Sequence, residues 1–140
     1  MVAKKIAEVL DCDLFELVPL HEYPKDYREC VALSKAELEG HILPKMKEII
    51  SGFDEYDTVY LGYPNWCSTY PMIVETFLKS YDLKGKHIYP FCTHEGSGMG
   101  RSEVDLKKVC PNSILHRGLA IYGHDALNCD KQIKQWLKDE

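Results

Sequence analysis

The sequence predicts an α/β fold, a three-layer α/β/α sandwich with a parallel sheet at its centre. Three observations lead to this fold class. Short runs rich in β-branched and aromatic residues alternate along the chain with helical patterns. Two of these runs lack an alternation of polar and apolar residues, which is typical of strands buried on both faces of a parallel sheet. The length of 140 residues fits one domain, which would span residues 1–140.

Four runs are predicted to be strands, and helices are predicted between and around them. The strand runs cover residues 13–18, 57–62, 86–92 and 114–122. The helical patterns cover residues 2–10, 26–39 and 71–81, a segment from Ser102 to just before Pro111, and a last segment with Ile133, Trp136 and Leu137 on one face. Ser102 with Asp105 resembles a capping box at the start of the fourth helix. Pro44 and Gly52 bracket a further short helix.

Composition excludes several functional classes. The chain is 45% hydrophobic and 28% charged, which is ordinary for a globular protein, so a wholly disordered chain is excluded. The net charge of -5 argues against a nucleic-acid partner, because such binding surfaces are basic. No apolar run reaches the length of a membrane span, and the first residues carry no export signal. We therefore expect a cytoplasmic protein with neither a nucleic-acid nor a membrane partner.

The first candidate binding segment follows the predicted strand at residues 57–62 and contains three aromatic residues, Tyr63, Trp66 and Tyr70. Parallel sheets bind their ligands beyond the carboxyl ends of the strands, where this segment lies. Aromatic rings in such a place offer flat stacking surfaces. The alternative is that Trp66 closes the top of the hydrophobic core, since tryptophan is usually well buried.

The second candidate segment follows residues 86–92 and contains three glycines within five residues, Gly96, Gly98 and Gly100. Glycine allows backbone N–H groups to approach a ligand closely, and Thr93 and Ser97 add hydroxyl groups. The alternative is a set of tight turns, which is what most glycine-rich segments form. The segment does not match the phosphate-binding pattern of nucleoside triphosphatases.

Other reactive side chains give weaker hypotheses. His94 beside Glu95 could act as an acid–base pair, although adjacent residues need not face each other. Cys67 and Cys92 could form a redox pair at one sheet edge, with isolated buried thiols as the alternative. No cysteine lies within four residues of another, so zinc-type pairs are absent. We predict neither a catalytic residue nor a metal site.

The two candidate segments and their spacing resemble the flavodoxin family, and within it a bacterial flavodoxin-like group. The resemblance rests on several motifs that follow one another over more than half of the chain. Its main motifs are Tyr63-Pro64-x-Trp66, Phe77-Leu78-x-Ser80-Tyr81-Asp82, Pro90-Phe91-Cys92-Thr93-x-x-Gly96-Ser97-Gly98 and Gly118-Leu119-Ala120. It implies a flavodoxin-like sandwich that binds FMN at the carboxyl edge of the sheet.

The resemblance also implies roles for individual residues. Trp66 would stack on the isoalloxazine ring, and the backbone of residues 93–98 would contact the polar edge of the ring. The function implied is electron transfer or an FMN-dependent oxidoreductase reaction, whose chemistry belongs to the cofactor. The expected partner is a redox protein or a small quinone-like acceptor. The predicted cofactor-binding residues are Pro64, Asn65, Trp66, Cys67, Thr93, Glu95, Gly96, Ser97 and Gly98.

One departure from the family concerns the start of the chain. Family members begin with an apolar strand and a Ser/Thr/Gly-rich phosphate loop, whereas Met1 here falls directly at the first helix. We therefore expect four strands, a gap in the sheet that favours self-association, and weak FMN binding. Each hydrogen bond to a charged group contributes about 1.5–3 kcal/mol, so several lost bonds would weaken binding by orders of magnitude. The alternative function is a truncated module that keeps the fold without tight flavin binding and serves as an interaction domain.

Overall fold

The computed structural model describes residues 2–21, 24–66, 68–126 and 128–139, except for the side chains of Tyr27 and Asp139. Helices and strands alternate along these residues. Their order is α1 (Val2–Leu10), α2 (Tyr27–Gly40), β1 (Thr58–Pro64), α3 (Met72–Ser80), β2 (His87–His94), α4 (Ser102–Val109), β3 (Ile114–Leu115), β4 (Leu119–Tyr122) and α5 (Asp130–Asp139). None of the described helices is long and apolar enough to cross a membrane.

The sheet is parallel throughout, and β2 lies at its centre. β1 pairs with β2 along its whole length, with Thr58 opposite His87 and Pro64 opposite Thr93. On the other side of β2, β3 pairs with its beginning and β4 with its end. The four strands therefore occupy three positions side by side. This arrangement confirms the predicted α/β class and the predicted number of strands.

The prediction of a strand at residues 13–18 is wrong. These residues have no regular secondary structure, and they join no ladder in the described part of the sheet. A strand is stable only when its backbone groups have a neighbour, and apolar residues alone do not supply one. The segment is attached at its ends instead, because Tyr56 hydrogen-bonds Asp13 and Pro19 forms an isolated bridge with Met46.

The strand predicted at residues 114–122 forms as two pieces, β3 and β4, with residues 116–118 between them. Two side chains explain the interruption. Glu103 accepts a hydrogen bond from the backbone N–H of Gly118 at 3.0 Å, and Trp136 donates to the carbonyl oxygen of Arg117 at 2.9 Å. These backbone groups are therefore used outside the ladder. The prediction of a short helix between Pro44 and Gly52 is wrong, because these residues contain no helix and a 3-10 turn follows them at Phe53–Glu55.

Helices cover both faces of the sheet, which makes the three layers. The first cluster joins β1 and β2 to α3 and α4, through residues that include Leu61, Cys92, Phe77 and Leu106. The second cluster covers the opposite face with α1 and α5, through residues that include Ile6, Phe91, Ile121, Ile133 and Trp136. Successive residues of the central strand face opposite layers, as in any strand buried on both sides.

The start of α2 follows from local chemistry, whereas that of α4 differs from the prediction. Asp26 precedes α2 and accepts hydrogen bonds from the N–H groups of Arg28 and Glu29 at 2.8 and 3.2 Å, as a capping residue does. The predicted capping role of Ser102 is wrong, because Arg101 precedes α4 and no side chain caps it. The Ser102 hydroxyl instead donates to the carbonyl oxygen of Met99 at 2.6 Å.

Candidate functional site

The two segments singled out in the sequence begin side by side at the carboxyl edge of the sheet. β1 ends at Pro64 and β2 at His94, and Pro64 lies opposite Thr93 in the register of the two strands. We call residues 64–66, 68–69 and 93–101 together the rim. Because the strands are parallel, both halves of the rim project from the same edge.

Three hydrogen bonds join the two halves of the rim. The backbone N–H of Asn65 donates to the carbonyl oxygen of Thr93 at 2.8 Å. The Asn65 side-chain amide donates to the carbonyl oxygen of Gly98, also at 2.8 Å. The backbone N–H of Arg101 donates to the carbonyl oxygen of Ser68 at 2.8 Å. The rim is therefore one connected unit, and the predicted residues Asn65, Thr93 and Gly98 lie together in it.

Close packing also holds the halves together at Gly100. A Cβ atom on this residue would lie 2.2 Å from the carbonyl oxygen of Ser68, so no larger residue fits without displacement. Gly100 also has a positive φ of 56°, a conformation that glycine adopts without strain. The glycine at this position is therefore required by the contact between the two halves.

Gly96 and Gly98 have a different environment from Gly100. Their φ angles are 136° and 63°, and a Cβ atom on either would meet nothing within 4 Å. Their glycine identity thus follows from backbone conformation, and the space beside them is open. Ser97 and Glu95 are exposed in the same turn. This part of the rim therefore has open space beside its backbone, and its contact with a ligand stays a prediction.

Trp66 sits in a tight turn that closes on Thr69. The two residues exchange backbone hydrogen bonds of 2.9 and 3.1 Å. The Thr69 hydroxyl donates to a carboxylate oxygen of Asp105 at 2.6 Å, which attaches the turn to α4. Trp66 is half-buried, whereas Trp136 in the core is only 3% exposed. Trp66 is therefore more exposed than the core tryptophan, and its role as a stacking surface stays a prediction.

The buried thiol of Cys92 contacts the rim at Gly98 and Met99. Its Sγ atom lies 3.3 Å from the carbonyl oxygen of Gly98 and 3.4 Å from the sulfur of Met99. Burial raises the pKa of Cys92 to about 11, so the group stays a neutral thiol near pH 7. A neutral thiol donates a hydrogen bond but is a poor nucleophile. Cys67, the other member of the hypothetical redox pair, lies outside the described residues.

One polar atom of the rim has no partner in the described part of the chain. The Oδ1 atom of Asn65 is buried and accepts no hydrogen bond, although the Nδ2 atom of the same side chain is bonded to Gly98. A buried acceptor without a donor costs roughly 1–3 kcal/mol.

His94 and Glu95 do not form the hypothetical acid–base pair. The Nδ1 atom of His94 accepts the backbone N–H of Gly96 at 2.9 Å, and the ring lies 4.4 Å from that of Tyr122. The Glu95 carboxylate lies against Gly123, where an added Cβ atom would be 2.2 Å from its Oε1 atom. In the described residues, no group of three or more His, Cys, Asp or Glu side chains could hold a metal ion.

Three supporting residues were missed by sequence reasoning. Asp105 accepts a hydrogen bond from Thr69, and Met99 packs beside Cys92. Ser102 accepts a hydrogen bond from the Tyr63 hydroxyl at 2.9 Å. Ser102 and Asp105 were noted only as capping residues of α4. The partners are separated by 36 residues for Thr69 and Asp105 and by 39 for Tyr63 and Ser102, so no local pattern could have revealed them.

Comparison with known proteins gives the following results. A family model described as flavodoxin matches residues 1–140. A structure from Bacteroides uniformis assigned as a flavoprotein is 29% identical, with a TM-score of 0.86, and the match covers 98% of this chain and 88% of that one. A similarly assigned structure from Bacteroides eggerthii is 30% identical, with a TM-score of 0.86 and coverage of 99% and 87%.

A more distant structure shares the fold. It is a flavoprotein from Lactobacillus acidophilus in complex with FMN, 16% identical, with a TM-score of 0.66 and coverage of 96% of this chain and 90% of that one. No curated protein matches the chain.

Proposed function

The chain belongs to the flavodoxin family, and from this we propose that its rim binds the isoalloxazine ring of FMN and that the bound flavin transfers electrons. The observation that carries the proposal is the hydrogen bond between Asn65 and Gly98. It holds a half-buried tryptophan and an open glycine backbone on a single rim. When bound, FMN supplies the redox chemistry, and the chain supplies position and polarity.

Each part of the rim has a proposed role toward the ring. Trp66 offers a flat surface for stacking. The backbone of Ser97 and Gly98 offers N–H groups to the acceptors at the polar edge of the ring, whereas the Gly96 N–H is bonded to His94. Pro64 and Thr93 form the base of the site, where the two strands end. Glu95 and Ser97 lie at its outer side, and Cys67 is proposed from the family resemblance alone.

We propose that FMN binds weakly because the described rim offers little to a phosphate. The Thr69 hydroxyl is bonded to Asp105, and the Ser102 hydroxyl is bonded to Met99. The Arg101 guanidinium lies 3.3 Å from the Asp105 carboxylate, which offsets its charge. Charge-assisted hydrogen bonds are the strong ones, and the Arg101 guanidinium of the rim is already paired with Asp105.

A fluorescence titration tests the ring site. FMN fluorescence should fall as the ring stacks on Trp66, and the Trp66→Ala variant should bind roughly two- to tenfold more weakly, as expected for an aromatic contact of about 0.5–1.5 kcal/mol. Phe15→Ala is the matched control, since Phe15 is an exposed aromatic residue that packs against Tyr56, before the start of β1. Absence of quenching at high micromolar FMN would disprove the site.

Riboflavin separates the ring from the phosphate. If the phosphate meets few donors, riboflavin should bind within about tenfold of FMN, a difference of about 1.4 kcal/mol. A loss of several orders of magnitude would show that the chain does hold the phosphate. Electron transfer is tested by reducing the bound flavin and following its reoxidation by a small quinone. Slower reoxidation than that of free FMN would contradict an electron-transfer role toward quinones.

A further inference from the structure

We propose that His94 is a positioning residue whose neutral imidazole fixes the Glu95–Gly96 peptide group of the rim, and that protonation of this imidazole releases the peptide group. The effect belongs to the chain itself, so it can be measured without a flavin. Its consequence for the isoalloxazine ring rests on the proposed function, because the next N–H group along the chain, that of Ser97, is one of those offered to the ring. The rim would then bind its ligand in a pH-dependent manner.

The first argument is the hydrogen bond between the Gly96 backbone and the His94 ring. The N–H of Gly96 donates to the Nδ1 atom of His94 at 2.9 Å. A neutral imidazole has one N–H group and one acceptor, so this bond requires Nδ1 without a proton and places the proton on Nε2. A protonated imidazole has N–H groups at both positions and no acceptor. Protonation of His94 therefore replaces the acceptor with a second donor that faces the Gly96 N–H.

The second argument is that the sheet holds the His94 ring in place. His94 is the last residue of β2 and lies opposite Tyr122 of β4 in the register of the two strands. The centres of the two rings are 4.4 Å apart, and His94 is only 8% exposed. The ring therefore has little freedom to turn away from Gly96. We expect the peptide group to move when the bond is lost, while the ring stays in place.

The third argument is the open space beside Gly96. An added Cβ atom on this residue would meet nothing within 4 Å, so packing adds little to hold the turn on that side. By contrast, the bonds from Asn65 to Gly98 and from Arg101 to Ser68 attach the later part of the segment to the other half of the rim. The release would therefore be confined to residues 95–97, which leaves the rest of the rim intact.

Other titratable groups lie on the elements next to the ring. They are Glu95 on the same segment, Tyr122 of β4, and His124 and Asp125 of the 3-10 turn at Gly123–Asp125. The His124 imidazole lies 3.5 Å from the Asp125 carboxylate and 5.2 Å, between ring centres, from Tyr122. Carboxyl and phenol groups ordinarily titrate outside the range from about pH 5 to 8. His124 is therefore the group whose titration has to be distinguished from that of His94.

The test observes the hydrogen bond by nuclear magnetic resonance in the 140-residue chain. Carbonyl-¹³C glutamate with ¹⁵N glycine selects Glu–Gly pairs, and the sequence has two, Glu39–Gly40 and Glu95–Gly96. With ¹⁵N histidine added, we expect a scalar coupling between the Gly96 nitrogen and Nδ1 of His94 at pH 8. At pH 5 the coupling should vanish, and the Gly96 proton signal should move upfield as its bond is lost. The Gly40 signal, from α2, reports whether a variant disturbs the fold elsewhere.

Two substitutions of His94 separate the bond from the charge. His94→Asn keeps an acceptor, because asparagine side chains bond the backbone N–H two residues further on, and it takes up no proton in this range. Its Gly96 proton signal should therefore stay at the bonded position at both pH values. His94→Leu has no acceptor, so its Gly96 signal should stay at the released position. His124→Asn is the matched control, since it removes the exposed imidazole and should leave the Gly96 titration unchanged.

Riboflavin measures the consequence for the ring, because it lacks the phosphate, whose own charge changes at about pH 6. The unmodified chain should bind riboflavin about tenfold more weakly at pH 5 than at pH 8, and His94→Asn should bind it equally at both. Failure to bind riboflavin at any pH would contradict the proposed function and leave the role of His94 to the resonance measurement. A Gly96 bond that survives at pH 5, or a Gly96 titration that persists in His94→Asn, would overturn the proposal.

Discussion

The side chain of Asn65 and the backbone of Gly98 are joined by a hydrogen bond of 2.8 Å that crosses from the end of β1 to the segment after β2. The carbonyl oxygen of Gly98 also lies 3.3 Å from the thiol of Cys92. Two donors therefore fix the orientation of one peptide group in the part of the rim that faces open space. The predictions that follow test this arrangement and the packing on which it depends.

Asn65→Leu should loosen the rim. The substitution removes the bond to Gly98, which is worth about 0.5–1.5 kcal/mol, and it also removes the buried acceptor. We expect a small loss in the free energy of unfolding and about tenfold weaker FMN binding. Urea denaturation and FMN titration measure the two effects. Asn112→Leu, at an exposed position, should change neither, and equal effects of both substitutions would contradict the role given to Asn65.

Gly62→Ala should destabilise the sheet, because an added Cβ atom would lie 2.3 Å from ring atoms of Phe91. Overpacking of this kind costs about 1–3 kcal/mol. The double variant Gly62→Ala with Phe91→Leu should recover part of the loss, since the ring is the obstacle. Gly40→Ala is the control, because its Cβ atom would meet only the exposed side chain of Ile42. Thermal unfolding followed by circular dichroism makes the comparison.

Stability should fall as the pH rises above 9. Burial raises the pKa of Cys92 from 9.0 to about 11, and it raises the pKa of Tyr63 and Tyr70 above the ordinary tyrosine value. Between pH 9 and 11 the unfolded chain releases the thiol proton while the folded chain keeps it. The folded state therefore loses up to about 1.4 kcal/mol per pH unit for each such group.

The Cys92→Ser variant isolates the thiol contribution to this alkaline loss. A serine hydroxyl does not ionise in this range, and it can still donate to Gly98. Urea titrations at pH 7, 9 and 10 should show a shallower loss of stability for Cys92→Ser than for the unmodified chain. Cys30→Ser is the matched control. An unchanged slope for Cys92→Ser would mean that the thiol titrates alike in the folded and unfolded chains.

Lys86→Met should cost about 1–3 kcal/mol of stability, because it leaves two carbonyl oxygens without their donor. The Lys86 ammonium group donates to Asp54 and Tyr56 and lies 5.2 Å from the centre of the Phe53 ring. Methionine retains most of the apolar contact but donates nothing. Lys84→Met, in the exposed turn before β2, should be nearly neutral. Chemical denaturation of the two variants side by side decides the matter.

Sequence patterns predicted those parts of the fold that depend on local chemistry. The runs that became β1 and β2 are apolar on both faces, and that pattern is specific to a buried parallel strand. Residues 13–18 show how the same reasoning fails, because a strand exists only if another strand lies beside it. The interruption between β3 and β4 depends on Glu103 and Trp136, whose partners are 15 and 19 residues away.

For the candidate site too, the sequence predicted only the features that depend on local patterns. Aromatic residues after one strand and glycines after the next placed both halves of the rim at one edge. The bond from Asn65 to Gly98 spans 33 residues, and its geometry follows from the register of β1 and β2. A single sequence contains no signal for such a contact. The same limit applies to the bond from Thr69 to Asp105.

The contact of Gly100 with Ser68 bears on how fast a ligand can be captured. This contact and the three bonds between the halves fix the described residues of the rim, so we expect the ring to bind without a rearrangement of them. The observed association rate should then rise in direct proportion to flavin concentration, in a single exponential phase. Differences in affinity between variants of the rim would appear in how long the complex lasts.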